Sequence, residues 1–483
     1  MKSEPDAARP FLYAVPLIVG CALFMQTLDS TVIAVALPAI AKSMHQDPIR
    51  LNLAITSYLL SLAVFIPISG WAADRFGARG VFRTAIIIFT LGSIACAMAS
   101  TLSQLVCARV VQGFGGAMMV PVGRLLVLRS VAKADLVDAM SYLTVPAVFG
   151  PVVGPPVGGF IVTYASWRWI FLMNVPIGML GVALVTAYIE DIRDQEAFPL
   201  DMQGFLLTGL GLAGLMFGME TIGRGIMPVG LVMTALVGGG ICLGLYIVHS
   251  SRAANPIVDL ELLRIPTFSA ATLNGSLGRM GIGALPFLLA MLLQLVFGLT
   301  PFGSGMITFA SAAGALMMKP TAAPIIRRWG FRTVLVGNGL ISGGILMLYA
   351  LFRPSTPYIV IILTLLIGGF FRSLQFTSLG TLAYADVPPA MMSSASTLAS
   401  MVQQLSLSLG VTIAALLLHL SLHMRGAKVL TAHDFVVAFL VTGFLSLISA
   451  LLFLPMSRDA GWELSGREPA VGPQAVEAVA EAD

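Results

Sequence analysis

The sequence predicts an all-α integral membrane protein of 14 transmembrane helices, arranged as two six-helix bundles with two linker helices between them. Three observations carry this expectation. The chain of 483 residues is 57% hydrophobic and only 10% charged, whereas a soluble domain carries about 25% charged residues. Its apolar stretches run for roughly 20 residues, the length at which an α-helix crosses the hydrocarbon core. A charged loop motif recurs 253 residues further along the chain, and repeated helical halves are a recurrent plan of membrane folds. Aromatic residues are not enriched, at 8%, and no series of short alternating segments appears, which argues against an outer-membrane barrel.

The spans fall near residues 12–39, 51–72, 81–99, 103–128, 137–163 and 168–189, followed by a pair near 202–221 and 228–249. The last six lie near 268–295, 303–326, 332–352, 357–383, 391–420 and 434–456. The loops between them alternate in charge. Arg75, Arg79 and Arg83 follow the second span, Arg129 and Lys133 the fourth, Arg193 the sixth, Arg252 and Arg264 the eighth, Arg327, Arg328 and Arg332 the tenth, and Arg458 the last. The other side receives Lys42, Arg50, Arg168, Arg224, Arg353, Arg425 and Lys428. With the terminal residues included, about fifteen cations face about seven, and the positive-inside rule makes both termini cytoplasmic. Residues 1–10 are mixed in charge, and the apolar run after them is too long for a signal peptide, so the first span is expected to be retained.

The repeat fixes the division of the chain. Asp74-Arg75-Phe76-Gly77-Ala78-Arg79 recurs as Arg327-Arg328-Trp329-Gly330-Phe331-Arg332, and the same offset carries Gly115-Gly116 onto Gly368-Gly369. Residues 1–190 are therefore read as the first bundle, 191–262 as two inserted helices, 263–457 as the second bundle and 458–483 as an acidic cytoplasmic tail. That tail and the loop from Glu190 to Glu196 read as solvated. Cys21, Cys96, Cys107 and Cys242 form no CxxC pair and suggest neither disulfides nor a metal site. No basic block points to nucleic acid, and no G-x-x-x-x-G-K-[ST] segment points to nucleotide hydrolysis. No cofactor, no metal and no enzymatic activity are expected. The expected partners are a small-molecule substrate, protons and the lipid bilayer, with the chain a monomer.

Asp29 is the acid placed well inside a span, within Leu28–Pro38. An aspartate at the centre of a membrane helix costs about 2.5–3.5 kcal/mol on insertion scales. Acids kept at that cost mark ion, proton or substrate paths.

Three motifs accompany it. Gly70-Trp71-Ala72-Ala73-Asp74-Arg75-Phe76-Gly77-Ala78-Arg79 follows the second span; Gly70 and Gly77 permit a tight turn and close helix approach, and Asp74 with Arg75 and Arg79 can form pairs between helices. Arg109-Val110-Val111-Gln112-Gly113 opens the fourth span and sets an arginine and a glutamine on one helix face. A buried Arg109 needs a partner, or it snorkels to the interface. Gly150-Pro151-Val152-Val153-Gly154-Pro155-Pro156-Val157-Gly158-Gly159 lies in the fifth span, where glycines four apart admit a neighbouring helix and prolines kink the axis.

On these motifs, and on Trp167–Pro176, the chain resembles the major facilitator superfamily, and within it the fourteen-span drug:proton antiporters. The resemblance implies the major facilitator fold in a bacterial inner membrane and export by alternating access driven by the proton gradient. It implies a gating latch at Gly70–Arg79, a proton-coupling role for Arg109 beside Asp29, and an antiporter motif at Gly150, Gly154, Pro155, Gly158 and Gly159.

The charges inside the spans qualify the drug reading. One acid is set against Arg109, Arg124, Arg279, Lys319 and Arg372. Cations lining a cavity favour an anionic substrate; alternatively they satisfy carbonyls at helix breaks. Gln26, Asn274, Gln294, Gln403 and Gln404 could add neutral hydrogen bonds, and Gln375, following Arg372, is a further cavity candidate. Three readings therefore compete: a multidrug-efflux-like exporter, an exporter of an anionic metabolite or metal–carboxylate chelate, and a membrane sensor that transports nothing.

Overall fold

The computed structural model describes residues 9–45, 48–190, 199–222, 227–426 and 430–465. Arg193, Arg224, Lys428 and the acidic tail from residue 466 onward lie outside the described residues, as does the loop 191–198.

Among the described residues the chain is helical, without a strand. In order it forms α1 (Arg9–Met44), α2 (Pro48–Phe65), α3 (Ile68–Phe76), α4 (Ala78–Met98), α5 (Leu102–Ser130), α6 (Leu136–Tyr164), α7 (Trp169–Leu172) and α8 (Asn174–Tyr188). Then come α9 (Met202–Thr221), α10 (Val229–Ser250), α11 (Pro266–Ser269), α12 (Gly275–Met291), α13 (Pro301–Leu348), α14 (Tyr358–Leu382), α15 (Met392–Arg425), α16 (Ala432–Leu451) and α17 (Trp462–Ser465). Eleven helices are long and apolar enough to cross a membrane, or twelve when α2 and α3, bent by 60° at Ile66-Pro67, are taken as one. One of the eleven, Phe302–Leu351, is 50 residues long, and Gly330 inside it leaves helical geometry at φ 75°, ψ 159°. α6, 29 residues long, is not among the eleven.

Local irregularities follow from composition. Pro67 ends α2, since it offers no amide to the helix. π-helical turns at Ala270–Asn274 and Leu292–Val296 flank α12, and such turns rotate the faces that follow them. Asp434 opens α16 through a capping box with Thr431 and takes Arg425 at 2.5 Å. It joins Asp29 as a fully buried carboxylate, but as a helix cap at the end of a span rather than within one.

The packing places the halves of the sequence around a shared core. α1 packs on α6, α5 and α8; α12 packs on α15, α16 and α13; α9 pairs with α10 and leans on α2 and α15. One apolar cluster from Leu28 to Phe171 belongs to the first half, and one from Ala284 to Phe439 to the second. A third draws on both, from Ile18 to Leu464, and includes Ala78 and Phe331, which follow the Gly77 and Gly330 turns. Contacts between the halves at that end include Ser69 Oγ to Thr397 Oγ1 at 3.3 Å, Ser396 Oγ donating to the Pro121 carbonyl at 2.7 Å, and Lys133 Nζ to Glu463 at 2.7 Å.

Candidate functional site

α1 and α5 bring the first pair together. Arg109 is fully buried and its Nη1 donates to Asp29 Oδ2 at 2.6 Å, so Arg109 does not snorkel. Its Nη1 also reaches Gln112 Oε1 at 2.6 Å and its Nε the Ala54 carbonyl at 3.2 Å. The other carboxylate oxygen accepts from Gln112 Nε2 at 2.9 Å and Asn174 Nδ2 at 3.0 Å. Ser93 Oγ ties both amides together at 2.7 and 3.1 Å. A buried pair repays its desolvation only when its remaining lone pairs and protons are also satisfied; here both carboxylate oxygens are, while Arg109 Nη2 has no hydrogen-bond partner among the described residues. The Tyr58 ring lies 4.2 Å from the guanidinium carbon and adds a cation–π contact. Ser93 and Asn174 were not predicted as site residues. Asn174 sits in the Trp167–Pro176 stretch that carried the resemblance, and it is the one signal that could have found it.

The opposite side of α1 is clamped by α6. A Cβ on Gly150 would sit 2.1 Å from Thr27 Oγ1, one on Gly154 2.1 Å from Thr31 Oγ1, and one on Gly158 2.9 Å from Val32. Glycine at these three positions is therefore a condition of helix contact on either side of Asp29. Gly159 points elsewhere, with nothing within 4 Å of its added Cβ. Pro155 occupies the same helix between Gly154 and Gly158.

A cavity of about 390 Å³ opens between the halves. Gln26, Arg124, Arg279, Lys319, Arg372, Gln403 and Gln404 all line it, together with apolar side chains such as Leu62, Leu143 and Phe376. Four of the lining residues are cations and, among the described residues, none is an aspartate or glutamate. Asp29 is not part of the wall; Gln26, Thr27, Ser30 and Tyr58 are.

Each cation is held by neutral groups. Lys319 donates to Thr144 Oγ1 on α6 and to Thr377 Oγ1 on α14, the latter at 3.1 Å. Arg372 Nη2 donates to Ser311 Oγ at 2.8 Å. Arg124 reaches Tyr384 Oη at 3.2 Å and Gln403 Oε1 at 3.3 Å. Arg279 is only 4% exposed, its Nη1 makes one long contact of 3.5 Å to the Thr272 carbonyl, and its Nε has no hydrogen-bond partner among the described residues. The hydroxyls of Thr144 and Thr377 give no charge signal in a sequence and were not predicted.

Three expected cavity residues lie elsewhere. Asn274 donates to the Leu452 carbonyl at 3.1 Å, on the side of its helix that packs against the end of α16. Gln375 is buried against Asn338 Nδ2 at 2.9 Å and the Leu335 carbonyl. Neither lines the cavity, and Gln294 does not either.

The loop motif forms the turn between α3 and α4. Gly77 takes φ 82°, ψ 132°, and Gly330, 253 residues on, takes φ 75°, ψ 159°. The following arginines repeat as well: Arg79 donates to the Thr186 carbonyl at 2.5 Å and Arg332 to the Leu454 carbonyl at 2.6 Å. Asp74 pairs with Arg129 at 3.1 Å, and Arg75 is exposed. Gly70 touches the other half, since an added Cβ would meet Thr397 Oγ1 at 2.7 Å and Ser393 Oγ at 2.9 Å.

Comparison with known proteins identifies the family and the fold. The family model described as Major Facilitator Superfamily matches residues 19–411 and 271–479. The protein named "Putative multidrug resistance protein MdtD" of Salmonella heidelberg is 39% identical over 462 residues, covering 95% of this chain and 97% of that protein. Its namesake of Salmonella typhimurium matches with the same figures, 39% over 462 residues. Among solved structures, the human organic anion transporter MFSD10 (TETRAN) superposes with a TM-score of 0.65 at 14% identity, covering 93% of this chain and 100% of that one. The proton:xylose symporter XylE bound to 6-bromo-6-deoxy-D-glucose gives 0.64 at 14% identity, covering 95% and 99%. At that identity the two structures speak for the fold alone.

Proposed function

The chain belongs to the major facilitator superfamily of membrane transporters, and from that premise we propose that it is a proton-coupled exporter of small organic anions. The observation that carries the cargo is the wall of the central cavity: Arg124, Arg279, Lys319 and Arg372, with no carboxylate among its described residues. A cation in a poorly screened site attracts an anion far more strongly than it does in water, and Arg279 keeps an unused donor for one.

Asp29 is the proton site in this reading. Protonating it removes the charge that holds Arg109 and turns one of its two acceptor oxygens into a donor, so in this reading the local network has two arrangements that differ by one proton. One proton moved through 100 mV supplies about 2.3 kcal/mol, enough for a gradient of roughly fiftyfold. Alternating access then requires the turn-end contacts at Gly70 and Ser396 to part while the opposite end closes.

The proposed topology is 14 spans. The 50-residue helix broken at Gly330 supplies two crossings and α6 one more. The two bundles, the inserted α9–α10 pair, a monomeric chain with both termini cytoplasmic and a bacterial inner membrane complete the reading. A second cargo class, amphiphilic drugs, is favoured by the apolar share of the same wall, including Leu23, Leu59 and Leu407, and by the name of the Salmonella relatives.

Uptake into everted vesicles energised by a pH gradient separates the two. Accumulation of carboxylates with no movement of ethidium-type cations supports the anion reading; the reverse overturns it, and no flux of either overturns transport by this cavity.

A further inference from the structure

We propose that the second copy of the repeated turn forms a binding site for an anionic phospholipid, its phosphate held by Arg328, Arg332 and Arg458 and one acyl chain in the groove beside Trp329. The sequence already separates the two copies. Where the first has Asp74-Arg75-Phe76, the second has Arg327-Arg328-Trp329, so the acid is replaced by a cation and the phenyl ring by an indole.

Two grooves share Trp329, Thr333 and Gly337. One, about 520 Å³, is bounded by Arg332, Arg458 and Leu454. The other, about 450 Å³, runs past Arg328 to Ile341, Phe370 and Phe371. Neither shares a residue with the central cavity, so this site stands apart from the transport reading. Arg332 is fixed by its bond to the Leu454 carbonyl. Arg328 and Arg458 are exposed and make no ion pair among the described residues.

The dimensions and chemistry fit one occupant. From Thr333 to Ile341 the helix rises eight steps, about 12 Å at 1.5 Å per residue, against a leaflet of about 15 Å of hydrocarbon. The groove therefore follows most of one acyl chain. Trp329, 57% exposed, stands at its charged mouth, the level at which indole rings sit in a bilayer. Basic pockets beside membrane helices recognise anionic headgroups through the same combination of charge and apolar depth. A free phosphate ion would use the arginines but leave the groove empty, which gives the test its second arm.

The full chain, purified in detergent, is titrated with phosphatidylglycerol, phosphatidylcholine and inorganic phosphate, and bound lipid is read by native mass spectrometry together with thermal shift. Two variants accompany it. R328Q/R458Q removes exposed charge, and G337L fills the ridge between the grooves, where an added Cβ meets nothing within 4 Å; the melting temperature of each variant without lipid checks that it folds. Phosphatidylglycerol is expected to bind in preference to phosphatidylcholine. The double variant should weaken it about thirtyfold, from roughly a fivefold contribution per arginine near a membrane surface, and G337L should weaken it without affecting inorganic phosphate. Equal retention of phosphatidylcholine, unchanged binding in both variants, or inorganic phosphate alone reproducing the thermal shift overturns the proposal.

Discussion

Arg109 Nη1 lies 2.6 Å from Asp29 Oδ2 inside a shell where Gln112 and Asn174 occupy the other carboxylate oxygen. The pair is thus coupled to α8 through Asn174 and, through Ser93, which bonds both amides, to α4, and changing its charge disturbs them all. Asp29→Asn keeps the shape but strands a buried guanidinium, which costs about 3–5 kcal/mol when one partner of such a pair is lost. We expect gradient-driven export to disappear and the apparent melting temperature to fall. Asp29→Asn with Arg109→Gln should recover part of the stability and none of the transport. Everted-vesicle flux beside thermal melting reads both, and wild-type flux in the single variant rejects Asp29 as the proton site.

The cavity cations act on cargo instead. A hydrogen bond to a charged group contributes about 1.5–3 kcal/mol, so Lys319→Gln and Arg372→Gln should each weaken an anionic substrate roughly ten- to hundredfold. Binding of a cationic dye should stay level or improve. Isothermal titration with a charge-matched pair of ligands distinguishes these outcomes, and unchanged anion affinity in both variants ends the argument from excess cations.

Much of this site was legible in the sequence because charge inside a membrane span is costly and therefore conspicuous. Asp29, Arg109, Arg124, Arg279, Lys319 and Arg372 announced themselves that way, and the offset of 253 residues announced the paired turns at Gly77 and Gly330. Neutral polar residues carry no such signal. Ser93, Thr144 and Thr377 do not stand out in a sequence, since a hydroxyl can satisfy itself on its own helix, as Thr27 does on the Leu23 carbonyl. Asn274 misled for a second reason: it ends a π-helical turn, and the extra residue in that turn rotates the face an ordinary 3.6-residue period assigns to it. Gln375 was misplaced because polar side chains in a membrane protein are needed between helices as well as in cavities.

The α6 glycines make a steric prediction with an internal control. Gly154→Ala drives a methyl to within 2.1 Å of Thr31 Oγ1, an overpacking that costs about 1–3 kcal/mol. Thr31→Ala in the same chain should relieve part of that cost. Gly159→Ala, five residues on in the same motif, has open space and should leave melting temperature and transport unchanged. If Gly154→Ala and Gly159→Ala behave alike, the motif is not held by its contact with α1.

The paired turns make a conformational prediction. Gly77 and Gly330 combine positive φ with extended ψ, at 82°, 132° and 75°, 159°, a region that residues with a Cβ avoid at a cost of about 1–3 kcal/mol. Gly426, at φ 59°, ψ 23°, is left-handed helical, and that region asparagine does adopt. Asparagine therefore separates the two cases. Gly426→Asn should melt like the wild type, whereas Gly77→Asn and Gly330→Asn should melt lower, by similar amounts to each other and to the alanine variants. The similarity matters as much as the loss: one backbone solution is used twice, each time to send an arginine, Arg79 or Arg332, onto the carbonyl that closes its own half. Melting curves in which only one of the two turns is sensitive would mean that the sequence repeat is not matched by a repeated mechanical role.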